Sequence, residues 1–507
     1  MMLYRFLRES AGRYPDNTLV QFDGRRQTFA ELLHMTDVLA DSLARLGLRA
    51  GDRLGIFLYN RPETLACYFA CFRLGVTAVP VNYRLKSDEI RYIVNHSAPG
   101  ILVSESALFP EVDLVRWEMD SVEHYFLVDW KAGEFAETVD FPGLLVRLET
   151  DVPLLQEYRD AEAVILYTSG TTGKPKGAIL THEKLAIHTV NHCRLVNYQP
   201  EDTTLVCLAL SNNFAFSHQM LAAVHAGATL EILPVFDAHA VLEKIEHGAV
   251  TMLYMMPVMY HALVKLAETR PGPVPNRLRL AIVAGDTTPR VVFDQFEKFF
   301  GLEICEGIGM TETQIYALNP LADGKKTGSV GKPVPYQQVS VQDEQGALLP
   351  AGEVGEISVK SDIVIDSYLN NPDATAESIR NGWFLTGDLG CFDDDGYLWF
   401  RGRRKQLIVH NGSNISPQEV EEVFYHHPAV FEVGVAGLPD AVEGENIEAF
   451  VVLKPGAGEV TEEMLLEFAS HHLADYKLPE RVLFIDSLPK GATGKIDRKR
   501  LKEYAPV

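Results

Sequence analysis

Hydrophobic and polar positions alternate along the chain in two periods, one typical of helices and one typical of strands. Residues 28–46 repeat apolar side chains every three to four positions, which predicts an amphipathic helix, and the apolar run DRLGIFL at residues 52–58 predicts a strand. A second unit of this kind spans residues 63–81, and further units recur between about residues 160 and 310. Alternating helices and strands of this type predict an α/β fold.

The pattern changes in the last third of the chain. Residues 325–400 contain short β-like runs separated by turns such as DDDG at residues 393–396, which predicts a β-rich subdomain. After residue 402, strands alternate with helices at about residues 417–426 and 461–471, which predicts a small α/β domain. We therefore expect a large N-terminal domain of α/β subdomains at residues 1–401 and a small C-terminal domain at residues 402–507.

Composition and charge narrow the classes of function. The chain has 46 Lys and Arg against 69 Asp and Glu, a net charge of −23, which argues against a protein that coats nucleic acid or an anionic membrane. No apolar run reaches the roughly 18 residues of a membrane span, and the N-terminus lacks an export signal. Six cysteines show neither a disulfide framework nor CxxC spacing. These features predict a soluble cytoplasmic protein with reduced thiols and no nucleic-acid partner.

The strongest chemical signal is the segment TSGTTGKPKG at residues 168–177, which follows the apolar run AVILY. Glycines let backbone N–H groups approach an anion closely, hydroxyl groups donate further hydrogen bonds, and lysines add positive charge. The segment does not match the GxxxxGK[ST] pattern of nucleotide triphosphatases. It predicts a polyphosphate-binding loop whose candidate residues are Thr168, Ser169, Gly170, Thr171, Thr172, Gly173, Lys174 and Lys176.

With six further segments in a fixed order, this loop resembles the adenylate-forming acyl-CoA synthetases, the superfamily that includes firefly luciferase and the adenylation domains of peptide synthetases. The segments are GIGMTET at 307–313, GEVGEI at 352–357, WFLTGD at 383–388, GRRK at 402–405, GSNISPQEVEE at 412–422 and GATGKI at 491–496. The resemblance covers nearly the whole chain. It implies that a carboxylic acid is activated as acyl-AMP, with release of pyrophosphate, before the acyl group is transferred to CoA.

The resemblance also implies roles for residues around the nucleotide. Thr311 would contact the α-phosphate, and Glu312 would ligate Mg²⁺, a hard cation that prefers oxygen ligands. Asp388 would bind the ribose hydroxyls with Arg403 nearby. Three residues would lie near the adenine, namely Asp286, Gly307 and Ile308, where Ile308 replaces the aromatic residue common in the family.

The C-terminal domain is implied to be mobile. Lys495 would bridge the substrate carboxylate and the α-phosphate in one orientation, and Lys405 would be the hinge about which the domain turns. In the second orientation Gly412 would border a channel for the pantetheine arm of CoA. The expected acyl-binding residues are Asn212, Phe214, Phe216, Val283, Ala284, Gly285 and Gly309; Asn212 stands where the family often has a histidine.

The predicted activity is that of an acid-thiol ligase that uses ATP, Mg²⁺ and CoA. Its small-molecule acid is left open between fatty and aryl acids. Two alternatives remain at this point. The acyl group could be loaded on the phosphopantetheine of an acyl carrier protein, or the chain could be a non-catalytic nucleotide-binding protein.

Overall fold

The computed structural model describes residues 2–145, 160–168, 174–320, 324–410, 413–440, 444–491 and 494–504. The helices are α1 Met2–Arg13, α2 Phe29–Arg45, α3 Pro62–Leu74, α4 Ser87–Ser97, α5 Phe109–Asp113, α6 Phe141–Leu144, α7 His182–Leu195, α8 Asn213–Ala215, α9 Ala222–Ala226, α10 Ala238–His247, α11 Pro257–Glu268, α12 Arg290–Phe300, α13 Pro372–Ser378, α14 Pro417–Tyr425, α15 Glu462–Ser470 and α16 Arg498–Leu501. A π-helical segment, Phe216–Leu221, joins α8 to α9.

The first fifteen strands belong to the α/β part of the chain. They are β1 Thr18–Phe22, β2 Arg25–Thr28, β3 Arg53–Ile56, β4 Thr77–Pro80, β5 Ile101–Ser104, β6 His124–Leu127, β7 Thr138–Asp140, β8 Glu162–Thr168, β9 Lys176–Thr181, β10 Thr203–Val206, β11 Thr229–Ile232, β12 Met252–Met255, β13 Leu280–Val283, β14 Cys305–Met310 and β15 Gln314–Leu318. The other strands are β16 Lys332–Pro333, β17 Gln338–Gln342, β18 Gly355–Lys360, β19 Ile379–Arg380, β20 Trp383–Phe392, β21 Leu398–Arg403, β22 Ile408–His410, β23 Ser413–Ile415, β24 Val430–Asp440, β25 Gly444–Leu453 and β26 Arg481–Phe484.

The strands form four sheets. Two large and mainly parallel sheets have the orders β16-β15-β14-β13-β12-β10-β11-β1-β2 and β7-β6-β5-β3-β4-β8-β9. A smaller antiparallel sheet has the order β17-β18-β20-β19, with β21 paired to β20, and the last sheet has the order β23-β22-β25-β24, with β26 paired to β25. The α/β class, the β-rich subdomain and the small C-terminal α/β unit are therefore confirmed.

Local sequence explains the helix that the hydrophobic pattern predicted at residues 28–46. Thr28 caps α2 by accepting a hydrogen bond from the Glu31 amide, and the Glu31 carboxylate accepts one from the Thr28 amide. The apolar face of α2 packs against α1 and α3 in the largest hydrophobic core. The cap sets where the helix begins, and the apolar stripe sets which face is buried.

The turn DDDG is a hairpin turn, as expected. Asp393 Oδ1 accepts hydrogen bonds from the amides of Asp395 and Tyr397, which closes the connection between β20 and β21. The domain boundary predicted at residues 401/402 falls inside β21, and the next sheet begins at Ile408, so this boundary stays a prediction. In the described ranges no helix is both long and apolar enough to cross a membrane.

Candidate active site

The predicted phosphate loop connects two paired strands. β8 ends at Thr168 and β9 begins at Lys176, and these residues are opposite each other in the antiparallel ladder. Lys174 Nζ lies 5.5 Å from the centre of the Tyr92 ring, and Lys176 Nζ lies 5.2 Å from that of Tyr368. The predicted residues Ser169, Gly170, Thr171, Thr172 and Gly173 lie outside the described residues. The Thr168 hydroxyl is therefore at one end of the loop, and the ammonium groups of Lys174 and Lys176 are at the other.

Glu312 is held in place by two hydroxyl groups. Thr168 Oγ1 donates a hydrogen bond of 3.2 Å to Glu312 Oε1, and the Tyr368 hydroxyl donates one of 2.8 Å to the same oxygen. No described residue donates to Oε2, and the side chain is 3% exposed. A carboxylate that is oriented in this way and has one free oxygen fits a hard cation such as Mg²⁺. The sequence analysis did not identify Tyr368, whose role depends on a contact between distant segments.

A tight hairpin presents the Thr311 and Glu312 pair. Gly307, Ile308 and Gly309 lie in β14, which pairs with β15 through a bulge between Ile308 and Gly309. A Cβ at Gly309 would lie 2.6 Å from the carbonyl oxygen of Gln314, so only glycine fits this close approach. Gln314 itself has a φ of 60°, an uncommon conformation for a residue with a side chain. Thr311 and Glu312 therefore lie in the tight connection between β14 and β15.

Asp388 and Arg403 form an ion pair across neighbouring strands. They are opposite each other on β20 and β21, with Arg403 Nε 2.9 Å from Asp388 Oδ1. The Tyr316 hydroxyl lies 3.4 Å from Asp388 Oδ2. Burial raises the pKa of Asp388, and the Arg403 guanidinium opposes that shift. The Asp388 carboxylate is therefore a buried acceptor oriented by a neighbouring guanidinium and a hydroxyl group.

Lys495 extends from the C-terminal domain into this group of charges. It is close to Gly285, where an added Cβ would lie 4.0 Å from Lys495 Cε. Burial lowers the pKa of Lys495, and the nearby Arg403 guanidinium lowers it further. Three carboxylates oppose this shift, those of Asp286, Asp388 and Glu312. No described residue forms an ion pair or a hydrogen bond with the Lys495 ammonium, so a phosphate or carboxylate oxygen would find an unpaired cation here.

Contacts between the two parts of the chain hold Lys495 in this position. The Arg290 amide donates a hydrogen bond of 3.0 Å to Glu422 Oε1. The His261 ring lies 5.2 Å from that of Phe431 and 6.1 Å from that of Tyr425. The cavity at this junction is lined by residues of both parts, which include Asp286, Thr287, Glu421, Lys490 and Lys495.

The predicted hinge is an exposed turn. Lys405 lies in the 3₁₀ turn Arg404–Gln406, which directly follows β21 and leads into the last sheet. The predicted channel residue Gly412 lies outside the described residues.

The two phenylalanines predicted to line the acyl site face different surroundings. The Phe214 ring lies 5.4 Å from that of His218 and 5.6 Å from that of Tyr254. Phe216 is instead fully buried in the main core, with its ring 4.9 Å from that of Tyr68. Asn212 caps α8 by accepting a hydrogen bond from the Phe214 amide. Side chains two positions apart in a helical backbone point to different sides. Phe216 therefore contacts the core, whereas Phe214 contacts His218 and Tyr254.

The remaining predicted acyl residues follow the end of β13. Val283 is the last residue of that strand, Ala284 is buried, and Gly285 begins the loop that leads to Asp286. Gly285 has a φ of 101°, and a Cβ there would lie 2.8 Å from Met256 Sδ. Glycine is therefore required where the loop passes Met256 and Lys495.

A cluster of three buried histidines was not identified from the sequence. His188 and His192 lie on α7, and His218 lies in the π-helical segment beside Phe214. The spacing of His188 and His192 by four residues was visible in the sequence and would place both on one face of a helix. Their meeting with His218 depends on tertiary structure.

Glu306 on β14 is a second buried acid close to the site. It is opposite Val283 in the neighbouring strand and is 7% exposed. Burial raises its pKa to about 8, and the Glu422 carboxylate adds to this effect. The native state therefore holds a proton on Glu306 at neutral pH.

The sequence matches two family models and a large set of enzymes. The family described as "AMP-binding enzyme" matches residues 7–369, and "AMP-binding enzyme C-terminal domain" matches residues 419–495. The chain is 32% identical over 515 residues to indoleacetate–CoA ligase of Aromatoleum aromaticum (strain DSM 19018 / LMG 30748 / EbN1), covering 99% of this chain and 98% of that one. It is 31% identical to a long-chain-fatty-acid–CoA ligase of Mycobacterium tuberculosis (strain CDC 1551 / Oshkosh), with coverage of 94% and 93%.

The fold matches solved structures over nearly the whole chain. A crystal structure of the anthranilate CoA ligase AuaEII in complex with anthranoyl-AMP superimposes with a TM-score of 0.91 at 26% identity. The match covers 99% of this chain and 97% of that one.

Substitution of Glu306 by Gln should change how stability depends on pH. Because the pKa is about 8 in the native state against 4.5 in the unfolded chain, the native state binds more protons between these values. The contribution of Glu306 to stability is therefore fully present below about pH 4.5 and is lost as pH rises toward 8. We expect the melting temperature of Glu306→Gln, relative to wild type, to rise steadily from pH 5 to pH 8.

The matched control is the exposed Glu297→Gln, which should show no such trend. Thermal unfolding followed by circular dichroism at several pH values measures both. A difference between Glu306→Gln and wild type that does not change with pH would contradict the buried, protonated state of Glu306.

Proposed function

The chain belongs to the AMP-binding enzyme family as an ATP-dependent acyl-CoA synthetase, and we propose that the acid it activates is aromatic. The rings around Phe214 carry this proposal. The Phe214 ring contacts two other rings, those of Tyr254 and His218. Aromatic side chains favour offset or edge-to-face contacts, each worth about 0.5–1.5 kcal/mol beyond the buried area. An aryl group that packs against the partly exposed Phe214 ring would gain such contacts, whereas an alkyl chain would not.

The relatives support this choice. Indoleacetate and anthranilate, the acids named for two of the three proteins above, are aromatic. The third relative is named for long-chain fatty acids, so the substrate panel has to include both classes.

We further propose how the charged residues take part in the first half-reaction. A carboxylate that attacks the α-phosphate of ATP must approach another anion, so the reaction depends on fixed positive charge and hydrogen-bond donors. The half-buried Lys495 ammonium supports a bridge between these two anions, and Thr311 lies next to Glu312 for contact with the α-phosphate. Lys174, Lys176 and Thr168 would hold the departing pyrophosphate, together with the predicted loop residues between them.

Nucleoside and metal binding follow from the remaining groups. Asp388, oriented by Arg403, would accept hydrogen bonds from the ribose hydroxyls, and Asp286 with Ile308 would border the adenine. Glu312 would hold Mg²⁺, which neutralises phosphate charge when it is bound.

The acceptor and the compartment complete the proposal. The acceptor thiol is that of CoA, and an acyl carrier protein is the alternative that the assay below tests. All six cysteines are buried and unpaired, which supports a location in the reducing cytoplasm.

A pyrophosphate-release assay tests the activity and the class of acid. The panel consists of benzoate, phenylacetate and 3-phenylpropionate, their 4-hydroxy and 4-amino derivatives, and hexanoate, decanoate and palmitate. We expect the best aromatic acid to have a kcat/KM at least about tenfold above that of the best aliphatic acid, a difference of about 1.4 kcal/mol in transition-state stabilisation.

Thioester formation should require free CoA, and a holo acyl carrier protein should not replace it. Equal or better use of aliphatic acids would contradict the aromatic assignment. Transfer to the carrier protein in preference to CoA would favour the alternative acceptor. Absence of pyrophosphate release with every acid would favour the non-catalytic alternative.

Lys495→Ala should slow adenylation selectively. Loss of one preorganised cation near the reacting oxygens should reduce the rate of pyrophosphate release by about 10²–10³-fold, equivalent to about 3–4 kcal/mol. Transfer of a supplied acyl-adenylate to CoA should stay close to the wild-type rate, because that step would use the second orientation of the C-terminal domain. Lys499→Ala, in an exposed lysine four residues away, is the control and should leave both steps unchanged. Near-normal pyrophosphate release by Lys495→Ala would contradict the catalytic role.

Lys405→Pro should affect the two half-reactions unequally. Proline fixes φ near −65° and would restrict the turn Arg404–Gln406, so that one orientation of the C-terminal domain is favoured over the other. We expect one half-reaction to be lost at least about tenfold more than the other, while Lys405→Ala, which leaves φ free, should affect both mildly. Separate measurement of pyrophosphate release and of thioester formation from acyl-adenylate checks this. Equal loss in a folded Lys405→Pro protein would rule out the hinge.

A further inference from the structure

The histidine cluster consists of His188, His192 and His218, which come from α7 and from the π-helical segment. It contacts Phe214 through the His218 ring. His188 and His192 are one helical turn apart on α7, and their rings are stacked with centroids 5.6 Å apart. The His218 ring lies 4.5 Å from that of His188 and 4.8 Å from that of His192. His218 lies in a π-helical segment, and such wide turns are frequent at functional sites.

Most of the ring nitrogens in this cluster lack a partner. His192 Nε2 is 3.2 Å from the Tyr254 hydroxyl, and His218 Nδ1 is 2.9 Å from Ser217 Oγ. Both nitrogens of His188, Nδ1 of His192 and Nε2 of His218 have no hydrogen-bond partner among the described residues. All three side chains are at most 3% exposed. Since buried polar groups in native proteins are normally paired, these four atoms mark a place where a polar ligand group would be satisfied.

A chain of hydrogen bonds connects the cluster to the reaction centre. Ser217 Oγ donates to Gln314 Oε1 at 2.9 Å, and Asn213 Nδ2 donates to the same oxygen at 2.9 Å. Gln314 is two residues after Glu312, in the hairpin that presents Thr311. The cluster therefore contacts Phe214 on one side and, through Ser217, the Gln314 side chain of the hairpin on the other.

The surroundings of the cluster are aromatic and uncharged. The rings in contact with it are those of Phe214, Tyr254 and Tyr336. Burial lowers the pKa of all three histidines, so they are neutral near pH 7. A neutral imidazole has one donor and one acceptor, which suits an uncharged polar group. A second carboxylate would be buried here without a cation, at a high cost in desolvation.

We propose that the aromatic acid carries a neutral hydrogen-bonding substituent, such as a hydroxyl, amino or ring N–H group, at the end remote from its carboxylate, and that this substituent binds His188, His192 and His218. This inference rests on the proposed function, because it assigns the chemistry of the acid that the acyl-CoA synthetase activates. An unsubstituted aromatic acid would leave the four nitrogens unpaired, whereas the substituted acid would pair at least one of them.

Matched pairs of acids test the inference with the purified full-length enzyme. We compare kcat/KM for pyrophosphate release with benzoate, phenylacetate and 3-phenylpropionate against their 4-hydroxy, 4-amino and 4-carboxy derivatives. We expect at least one hydroxy or amino acid to exceed its unsubstituted parent by about tenfold or more, and the 4-carboxy acids to be poorer than both.

Substitutions of the histidines then test whether the preference for the substituted acid depends on the cluster. His218→Phe, with His188→Phe as a second variant, should reduce the preference for the substituted acid to below about threefold while the parent acid is still activated. His182→Phe is the matched control, because His182 is also buried on α7 but its ring packs against Phe72, outside the cluster. It should keep the wild-type preference. Circular dichroism and melting temperature verify that each variant is folded.

Four results would overturn the inference. One is equal or better use of the unsubstituted acids, and another is a preference for the 4-carboxy acids. The third is an unchanged preference in folded His218→Phe and His188→Phe. The fourth is about one equivalent of metal in the purified wild-type protein that His218→Phe removes, which would make the cluster a metal centre. In each case other aromatic acids still release pyrophosphate, whereas failure of every aromatic acid would refute the proposed function itself.

Discussion

The candidate active site depends on one half-buried positive charge, the ammonium group of Lys495, which forms no ion pair or hydrogen bond with a described residue. Lys495 lies near the end of the chain, and its ammonium group is close to charged groups of the large domain. These are the Arg403 guanidinium and the carboxylates of Asp286, Asp388 and Glu312. Burial of a cation without an ion pair is unfavourable unless nearby charges or a ligand compensate it. The carboxylates of Asp388, Glu312 and Asp286 oppose the lowering of the Lys495 pKa. The ammonium forms no ion pair with any of them among the described residues, so it is available to an anionic ligand.

The position of this lysine rests on contacts far from the reacting atoms. The hydrogen bond between the Arg290 amide and Glu422, and the packing of His261 against Phe431 and Tyr425, join the two parts of the chain. Under the proposed reaction cycle, the C-terminal domain would break these contacts when it turns to its second orientation.

The site is divided into a charged end and a neutral end. Lys495, Arg403 and the carboxylates define the charged end, where we propose that the phosphates bind, and the histidine cluster with its aromatic neighbours defines the neutral end. Gln314 lies between them in a left-handed backbone conformation, and the π-helical segment Phe216–Leu221 lies on the neutral side. Irregular backbone of this kind often occurs at functional positions.

The sequence by itself determined the α/β class, the helix after Thr28, the hairpin at Asp393 and the order of the motifs, because caps, turns and hydrophobic period act over a few residues. The motifs also indicated Thr168, Glu312, Asp388 and Lys495, although nothing local shows that they meet. Tertiary structure alone decided that Tyr368 and Thr168 share one oxygen of Glu312, that Phe214 and Phe216 point to different sides, and that His218 joins His188 and His192. Such contacts join residues far apart in the chain, and they form only when sheets and helices pack.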